Sequence, residues 1–251
     1  MQPLSVYVLT FNSEKYLDTV LGQAGKMADD LLVVDSGSQD STLQNAERHG
    51  ARVLHRPLDD FAAQRNCALD NCLHDWTFAI DSDEIADDEL IETVRALKAA
   101  DFGAQPEQAL AYRPTRKWLV MGREIHCLLP IRCPDYPPRI FQRSKVRYLQ
   151  DNLVHESPQG WTDWIKIKGC LIHRTYETRT ELFGKLERYT DLAAREMRRR
   201  SRKKTLLKQV FSPPAAWFKF YIRLAGWKDG RVGWILAWYA FRYTWLKYRK
   251  L

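Results

Sequence analysis

The chain has 251 residues, of which 45% are hydrophobic and 28% are charged, with a formal net charge of +8. This length and composition exclude a disordered chain and a small scaffold that depends on disulfides, and they allow one large domain with or without an appendage. The five cysteines contain no C-x-x-C pair, which indicates neither a zinc site nor a disulfide framework and favours a reducing cytosol. No basic segment precedes the first apolar run, so we expect no secretory signal.

The N-terminal part alternates short apolar runs with amphipathic segments of helical length. The runs predict strands over Leu4–Thr10, Leu31–Asp35, Arg52–His55 and Trp76–Asp81. The segments between and after them predict helices over Ser13–Gly25, Asp40–His49, Phe61–Leu73 and Asp87–Ala100. Because the strands are almost continuously apolar and alternate with helices, we expect a parallel sheet covered on both faces.

The following part of the chain is less regular. Strand-like pieces at Ala109–Lys117, Arg139–Phe141 and Lys166–His173 are separated by proline-rich and aromatic loops. We expect this part to cover the end of the sheet and to shape a second substrate site. From Glu177 onward the pattern predicts helices.

Two aspartates one residue apart, Asp81 and Asp83, follow the strand that begins at Trp76. In an extended backbone alternate side chains share a face, so the two carboxylates could converge on one hard cation. Oxygen ligands suit Mg²⁺ or Mn²⁺, which usually completes its shell with water and phosphate oxygens. The end of a buried strand is where open α/β sheets bind ligands, which favours a binding site over a simple loop or cap. Glu84 could orient Asp83 or start the next turn.

Two further polar positions are candidates for ligand binding. Asp35 closes a strand before a turn that contains glycine, where it could hold a ribose or base edge or simply cap the turn. Asp40, in the same segment, is better explained as a helix cap. Arg65 lies near the start of the helix before Trp76 and could reach a diphosphate or a base carbonyl, since helix N-termini attract anions, or it could be a surface arginine.

Four motifs occur in order along the chain. They are Leu-Thr-Phe-Asn-Ser-Glu from Leu9, Val-Val-Asp-Ser-Gly-Ser from Val33, Ala-Gln-Arg-Asn from Ala63 and Ile-Asp-Ser-Asp-Glu from Ile80. Their order and spacing resemble the family 2 glycosyltransferases. The Asp-Ser-Gly-Ser variant, the segment Val154-His155-Glu156 and the chain from Asp229 onward resemble more closely the bacterial lipopolysaccharide core β-1,4-glucosyltransferases.

The resemblance implies an α/β GT-A fold, Rossmann-like with a mostly parallel sheet and flanking helices, followed by C-terminal amphipathic helices. It also implies a metal-dependent, inverting transfer of a hexose, with glucose as the expected sugar, from a UDP-sugar to the inner-core heptose of lipopolysaccharide. Phe11 would then stack on the base, Asp35 would hold the base or ribose, and Arg65 would lie near the nucleotide. Asp81 and Asp83 would bind the ribose and the metal–diphosphate.

Two more residues complete the implied site. An inverting transfer needs a base for the acceptor hydroxyl, and Glu156 stands where the family places it, although it could instead pair with a nearby arginine. His173 would join Asp83 in binding Mn²⁺ or Mg²⁺, unless it is a histidine that only closes its strand. The metal would neutralise the departing diphosphate.

The C-terminal part is basic and rich in tryptophan. Residues 217–251 hold five of the nine tryptophans, interleaved with Lys and Arg, and the basic run Arg195–Lys208 precedes them. The apolar run Trp234–Phe241 is far shorter than the ~20 residues that span a bilayer. Tryptophan beside Lys and Arg favours helices that lie in a membrane interface, although the aromatic side chains could also pack on the protein.

We therefore expect a GT-A nucleotide-sugar-binding and catalytic domain over 1–176 and a helical region over 177–251 for membrane or acceptor association. The expected partners are a nucleotide-sugar donor, a lipid-anchored saccharide acceptor and an anionic membrane surface, with the protein peripheral on the inner face of the cytoplasmic membrane. A peptide or another polysaccharide is an alternative acceptor. A nucleic-acid-binding protein is a further alternative, but no RNA-binding signature accompanies the basic run, so we expect no nucleic acid partner.

Overall fold

A computed structural model describes residues 1–103, 109–128, 131–149, 158–199 and 206–251. The chain forms two compact units: the first comprises Met1–Arg116 and Tyr136–His173, and the second comprises Lys117–Asp135 and Arg174–Leu251. The sequence predicted a catalytic domain over 1–176 and a helical region for membrane or acceptor association over 177–251, and this functional division stays a prediction.

The first unit begins with alternating strands and helices. In chain order these are β1 (Leu4–Thr10), α1 (Glu14–Ala24), β2 (Asp30–Asp35), α2 (Thr42–Arg48), β3 (Arg52–His55), α3 (Phe61–Asn71), β4 (Trp76–Asp81), β5 (Glu84–Ala86) and α4 (Asp88–Ala99). All eight elements predicted between Leu4 and Ala100 are present, with ends that differ by at most two residues. The sequence did not predict β5, which has only three residues.

The remaining elements are shorter strands followed by helices. The strands are β6 (Leu110–Val120), β7 (Arg123–Glu124), β8 (Cys127–Leu128), β9 (Ile131–Arg132), β10 (Ile140–Gln142), β11 (Arg147–Tyr148), β12 (Pro158–Gln159) and β13 (Asp163–Tyr176). The helices are α5 (Arg179–Gly184), α6 (Leu186–Arg199), α7 (Leu206–Phe218) and α8 (Gly230–Arg249), with a π-helical turn at Lys219–Arg223 and a 3₁₀ turn at Gly226–Asp229.

The main sheet has the strand order β3-β2-β1-β4-β10-β6-β13-β5, with β7 paired to β6. The first four strands of this order are parallel, as predicted from the alternation of apolar runs with helices. The pairs β4–β10, β10–β6, β6–β7 and β13–β5 are antiparallel. The sheet is therefore mixed, with the parallel part built by the N-terminal strands.

Side chains from alternate positions of β1 build a core on each face of the sheet. Val6 and Val8 pack with the buried faces of α1 and α4, whereas Tyr7 packs on the opposite face with α3. All three side chains are fully buried. Complete burial of an aliphatic side chain of this size stabilises a fold by about 1.5–3 kcal/mol, so the two cores hold β1 rigidly in the centre of the parallel strands.

A tight approach between β13 and α4 fixes the far edge of the first unit. Gly169 of β13 has a φ of +85°, and a Cβ added there would lie 2.2 Å from the backbone nitrogen of Leu90. Only glycine permits both the conformation and the contact. This approach lets β13 pair with β5 so that His173 lies opposite Glu84.

The second unit has its own hydrophobic core. Leu236, Ala237 and Ala240 of α8 are buried with Val120 and Leu182, whereas other α8 side chains are exposed. The interpretation that aromatic side chains pack on the protein therefore applies to one face of α8, and membrane association of the exposed face stays a prediction. Among the helices of the described residues, none is both long and apolar enough to cross a bilayer.

Candidate active site

Three parallel strands bring their carboxyl ends to one edge of the sheet in the first unit. Thr10 at the end of β1 lies opposite Asp35 of β2, and Leu9 lies opposite Asp81 of β4. The polar segments that follow these strands therefore meet, as the position of the sequence motifs predicted. Open α/β sheets bind their ligands at this edge.

The Asp35 carboxylate organises the turn after β2. Its Oδ1 accepts a hydrogen bond from the Thr10 hydroxyl at 2.9 Å, and its Oδ2 accepts the backbone N–H groups of Gly37 and Ser38, each at 2.9 Å. The side chain is fully buried. Burial alone would raise the pKa of Asp35, but these hydrogen bonds outweigh burial and lower the pKa. In this structure Asp35 shapes the turn, and its contact with a base or ribose stays a prediction.

Phe11 and Asn12 follow β1 beside that turn. The Phe11 side chain is 59% exposed, which is unusual for a large apolar residue beside a buried strand. Asn12 has a φ of +49° and links the two loops: its N–H donates to the Ser38 hydroxyl at 2.8 Å, and its Oδ1 accepts the N–H of Gln39 at 2.9 Å. The loops therefore present the exposed Phe11 ring at the edge of the sheet.

Two arginines hold the Asp81 carboxylate at the end of β4. Arg65 donates to its Oδ1 at 2.8 Å, and Arg139 donates to its Oδ2 at 2.6 Å. Burial opposes ionisation of Asp81, but the charges of Arg139 and Arg65 hold its pKa well below the usual range. The Arg65 guanidinium also lies 5.5 Å from the ring centre of Tyr148. Asp81 is therefore a fixed anion.

Glu84 contacts the backbone of Asp81 and shares Arg139 with its carboxylate. Its Oε1 accepts hydrogen bonds from Arg139 and, at 3.1 Å, from Arg116, and its Oε2 accepts the backbone N–H of Asp81 at 3.2 Å. Glu84 is fully buried, so its charge is balanced by these guanidinium groups. The sequence suggested that Glu84 orients Asp83 or starts the next turn. Its contacts are instead with Asp81, through the shared Arg139 and through the backbone N–H of Asp81.

Asp83 and His173 form a separate pair. Asp83 Oδ2 lies 3.1 Å from His173 Nε2, and the Asp83 side chain is 37% exposed. Burial lowers the pKa of His173, but the hydrogen bond and charge of Asp83 outweigh burial and raise the pKa. Ser82 and Asp83 form a turn, so the expectation of an extended backbone here was wrong. The chain must reverse direction to enter β5, and Asp81 and Asp83 therefore contact different partners.

The Asp83–His173 pair fits a divalent cation with few protein ligands. It offers one carboxylate oxygen and one imidazole nitrogen at the open edge of the sheet, with Asp81 two residues away. Among the described residues, no group of three or more His, Cys, Asp or Glu side chains could hold a metal. Mg²⁺ and Mn²⁺ commonly bind through one or two protein side chains, with waters and substrate phosphates completing the shell.

Arg139 and Arg116 were not among the site residues predicted from the sequence, and one residue that was predicted is not described by the structure. Glu156 lies outside the described residues, so its predicted role as base stays a prediction. Arg139 was noted only as the start of a short strand, and its partners Asp81 and Glu84 are more than fifty residues away in sequence. A basic residue directly before a buried strand was the available signal.

Replacement of Arg139 by Met should destabilise the protein by about 3–5 kcal/mol, because it leaves Asp81 and Glu84 without a shared cation. Arg139 is only 7% exposed. Equilibrium unfolding by urea measures this loss. Arg95→Met is the matched control: Arg95 is 47% exposed and pairs with Glu92 on a helix surface, so the expected cost is about 0–1 kcal/mol. Equal stability of both variants would show that the network is not stabilising.

The mixed sheet and the polar edge define an α/β protein that binds its ligand at the carboxyl ends of parallel strands. The chain belongs to glycosyl transferase family 2, which matches residues 5–161. The GT-A fold predicted from the sequence motifs is thereby confirmed, with the C-terminal helices present.

Individual relatives indicate which members of the family this chain is similar to. The chain is 28% identical over 243 residues to the lipopolysaccharide core biosynthesis glycosyltransferase LpsC of Rhizobium meliloti, and the match covers 94% of this chain and 86% of that protein. The predicted resemblance to lipopolysaccharide core enzymes is thereby confirmed. An uncharacterised glycosyltransferase of Rickettsia felis is 29% identical over 141 residues, 56% of this chain and 44% of that protein.

Among solved structures, glucosyl-3-phosphoglycerate synthase of Mycobacterium tuberculosis, in complex with Mn²⁺, UDP and glucosyl-3-phosphoglycerate, is similar at a TM-score of 0.37 and 24% identity. That similarity covers 45% of this chain and 44% of that protein.

Proposed function

We propose that this glycosyltransferase moves a hexose, with glucose as the first candidate, from a UDP-sugar to the inner-core heptose of lipopolysaccharide, with inversion and with a divalent metal. One observation carries the proposal: the partly exposed Asp83, paired with the buried His173, lies two residues from the anion Asp81 at the carboxyl edge of the sheet. The relationship to LpsC along most of the chain supports a lipopolysaccharide acceptor.

The donor would lie along the edge formed by β1, β2 and β4. The exposed Phe11 ring would stack on the base, and the turn shaped by Asp35 follows the neighbouring strand. Asp81 would accept a ribose hydroxyl, since a carboxylate has more acceptor positions than its two arginines occupy. Arg65 Nη1 is buried and has no hydrogen-bond partner in the described part of the chain, so it remains available for a diphosphate oxygen.

Asp83 and His173 would hold Mn²⁺ or Mg²⁺, which supplies a positive charge against the departing diphosphate. In the proposed displacement, the acceptor oxygen forms a bond to the anomeric carbon from the side opposite UDP. The bond between that carbon and the diphosphate oxygen breaks, and UDP leaves with the electron pair. Glu156 would take the proton of the acceptor hydroxyl, which keeps the oxygen nucleophilic as the bond forms.

The acceptor is proposed to be lipid-anchored, with the protein peripheral on the inner face of the cytoplasmic membrane. The formal net charge of +8 supports attraction to an anionic surface and to a phosphorylated acceptor. The excess of basic residues lies entirely in residues 177–251, since residues 1–176 hold more acidic than basic side chains. Residues 177–251 are therefore proposed for membrane or acceptor association.

The test is a panel of nucleotide sugars with purified full-length protein, Mn²⁺ or Mg²⁺, and an inner-core acceptor that ends in heptose. UDP release that requires both metal and acceptor, with UDP-glucose preferred, is the expected result. Release from a different nucleotide sugar would replace the donor assignment. Full transfer in the presence of EDTA would contradict the metal, and tight oligonucleotide binding without UDP binding would contradict the function.

A further inference from the structure

Helix α8 carries a row of alternating cationic and aromatic side chains on one exposed face. The row consists of Arg231, Trp234, Trp238, Arg242, Trp245 and Arg249. Their spacings of three or four residues place all six on one side of the helix. The three tryptophans are 45%, 43% and 38% exposed, although tryptophan is usually well buried. The opposite face of α8 lies in the core of the second unit.

Helix α7 carries an apolar row that also faces outward. Leu207, Val210, Phe211 and Phe218 are 70%, 57%, 63% and 58% exposed, and their spacing again places them on one side. The two rows are continuous, because the Trp217 and Tyr221 rings beside the α7 row each lie 5.5 Å from the Trp234 ring of α8. We call this combined surface the α7–α8 face. A water-exposed helix does not ordinarily present such a row, so the face is expected to have a partner.

Charge indicates the kind of partner. Residues 206–251 contain nine Lys and Arg and a single acidic residue, Asp229. Asp229 is fully buried, where it accepts a hydrogen bond from the backbone N–H of His126 and lies 2.6 Å from His126 Nδ1. The described part of this segment therefore exposes cations and apolar groups without a carboxylate. A second copy of the chain would bring like charges together, whereas an anionic surface would complement them.

A recess on the same face would accommodate a phosphate group. It has a volume of about 390 Å³ and is lined by Arg179, Phe183, Trp234, Ile235, Trp238 and Arg242. Within the described ranges, neither Arg179 nor Arg242 has a carboxylate partner. Guanidinium groups form strong bidentate hydrogen bonds with phosphate, and the tryptophan rings favour the polar boundary of a bilayer.

We propose that the α7–α8 face lies in the headgroup layer of an anionic phospholipid bilayer, with the α7 row directed into the apolar region and a lipid phosphate at Arg179 and Arg242. This inference rests on the proposed action on a lipid-anchored acceptor and identifies the surface that brings the protein to it. Interfacial helices combine these features: an apolar row, flanking cations and tryptophans at the boundary.

The test is flotation of the full-length protein with phosphatidylcholine vesicles that contain either no or 30% phosphatidylglycerol, roughly the range over which surface charge drives binding. The wild-type protein should float with the anionic vesicles. The Phe211→Ser, Phe218→Ser double variant should bind at least about tenfold more weakly, since each change exposes a polar group to the apolar region. Arg179→Gln with Arg242→Gln should lose much of the preference for anionic vesicles.

The matched control is Leu58→Ser with Leu73→Ser, since both leucines are exposed, at 43% and 62%, but lie in the first unit. These changes should leave flotation unchanged. Wild-type flotation by the Phe211, Phe218 variant would overturn the proposal, as would loss of a dimer in that variant with vesicle binding intact, which would indicate a second copy as the partner. Affinity for UDP should stay unchanged in both face variants, because the proposed donor edge lies in the first unit. If the wild type releases no UDP but floats, the proposed function fails and the surface assignment stands.

Discussion

Asp83→Asn is expected to lower sugar transfer by about 10²–10³-fold, the range seen when one group that stabilises transition-state charge is removed. The amide keeps the size of the side chain but loses the negative charge that the proposed metal site needs. Because Asp83 is 37% exposed, the amide can hydrogen-bond with water and the fold should persist. Transfer is measured as kcat/KM over a titration of Mn²⁺.

Asp88→Asn is the matched control for this change. Asp88 is 88% exposed at the start of α4 and has only a long ion pair to Lys26 at 3.8 Å, so its charge should not influence transfer. A raised Mn²⁺ requirement in Asp83→Asn alone would support a metal held at Asp83 and His173. Wild-type turnover of Asp83→Asn at every Mn²⁺ concentration would remove this pair from the mechanism.

Glu156→Gln is expected to lower turnover by about 10²–10⁴-fold, the usual contribution of a positioned general base. The amide cannot accept the proton of the acceptor hydroxyl. Affinity for the UDP-sugar should stay within a few-fold, because the base acts on the acceptor. Single-turnover transfer and UDP titration measure the two effects separately.

Asp151, which precedes Glu156 by five residues in the sequence, provides the comparison for Glu156. Asp151→Asn should keep most of the turnover if Glu156 is the base. The reverse result, with turnover retained by Glu156→Gln and lost by Asp151→Asn, would move the base to Asp151. A parallel loss of UDP-sugar affinity and turnover in Glu156→Gln would instead indicate a structural salt bridge.

The parallel half of the sheet was predictable because its signals are local. The strands β1, β2 and β4 are largely apolar runs, and the helix α1 between β1 and β2 shows an amphipathic repeat. Beyond β4 the strands are often two or three residues long, such as β7 and β10, and no periodicity can be detected over so few residues. Their pairing is determined by partners distant in sequence.

The site was predictable only where a motif ends a strand. Asp81 and Asp83 were found in this way, but their assumed common direction was wrong because a turn into β5 separates them. Arg139 was missed because its local signal, a basic residue directly before a buried strand, does not indicate which distant carboxylates it contacts. Sequence identifies the charges, but only the fold determines which of them share a partner.

The C-terminal surface could also be predicted only in part from the sequence. Tryptophans among basic residues indicated an interface, and α8 has them on its exposed face. The apolar row of α7 was overlooked because apolar residues at helical spacing usually face a core. Its outward direction became evident only from the packing of the second unit.

Because Arg139 donates to both Asp81 and Glu84, the energies of substitutions at these three positions will not be additive. Once Glu84 is neutralised, loss of the Arg139 guanidinium removes one ion pair instead of two, so a combined Glu84→Gln, Arg139→Met variant should cost less than the separate changes together. Substitutions among these three residues should therefore be made together, since each single change leaves the remaining charges unbalanced.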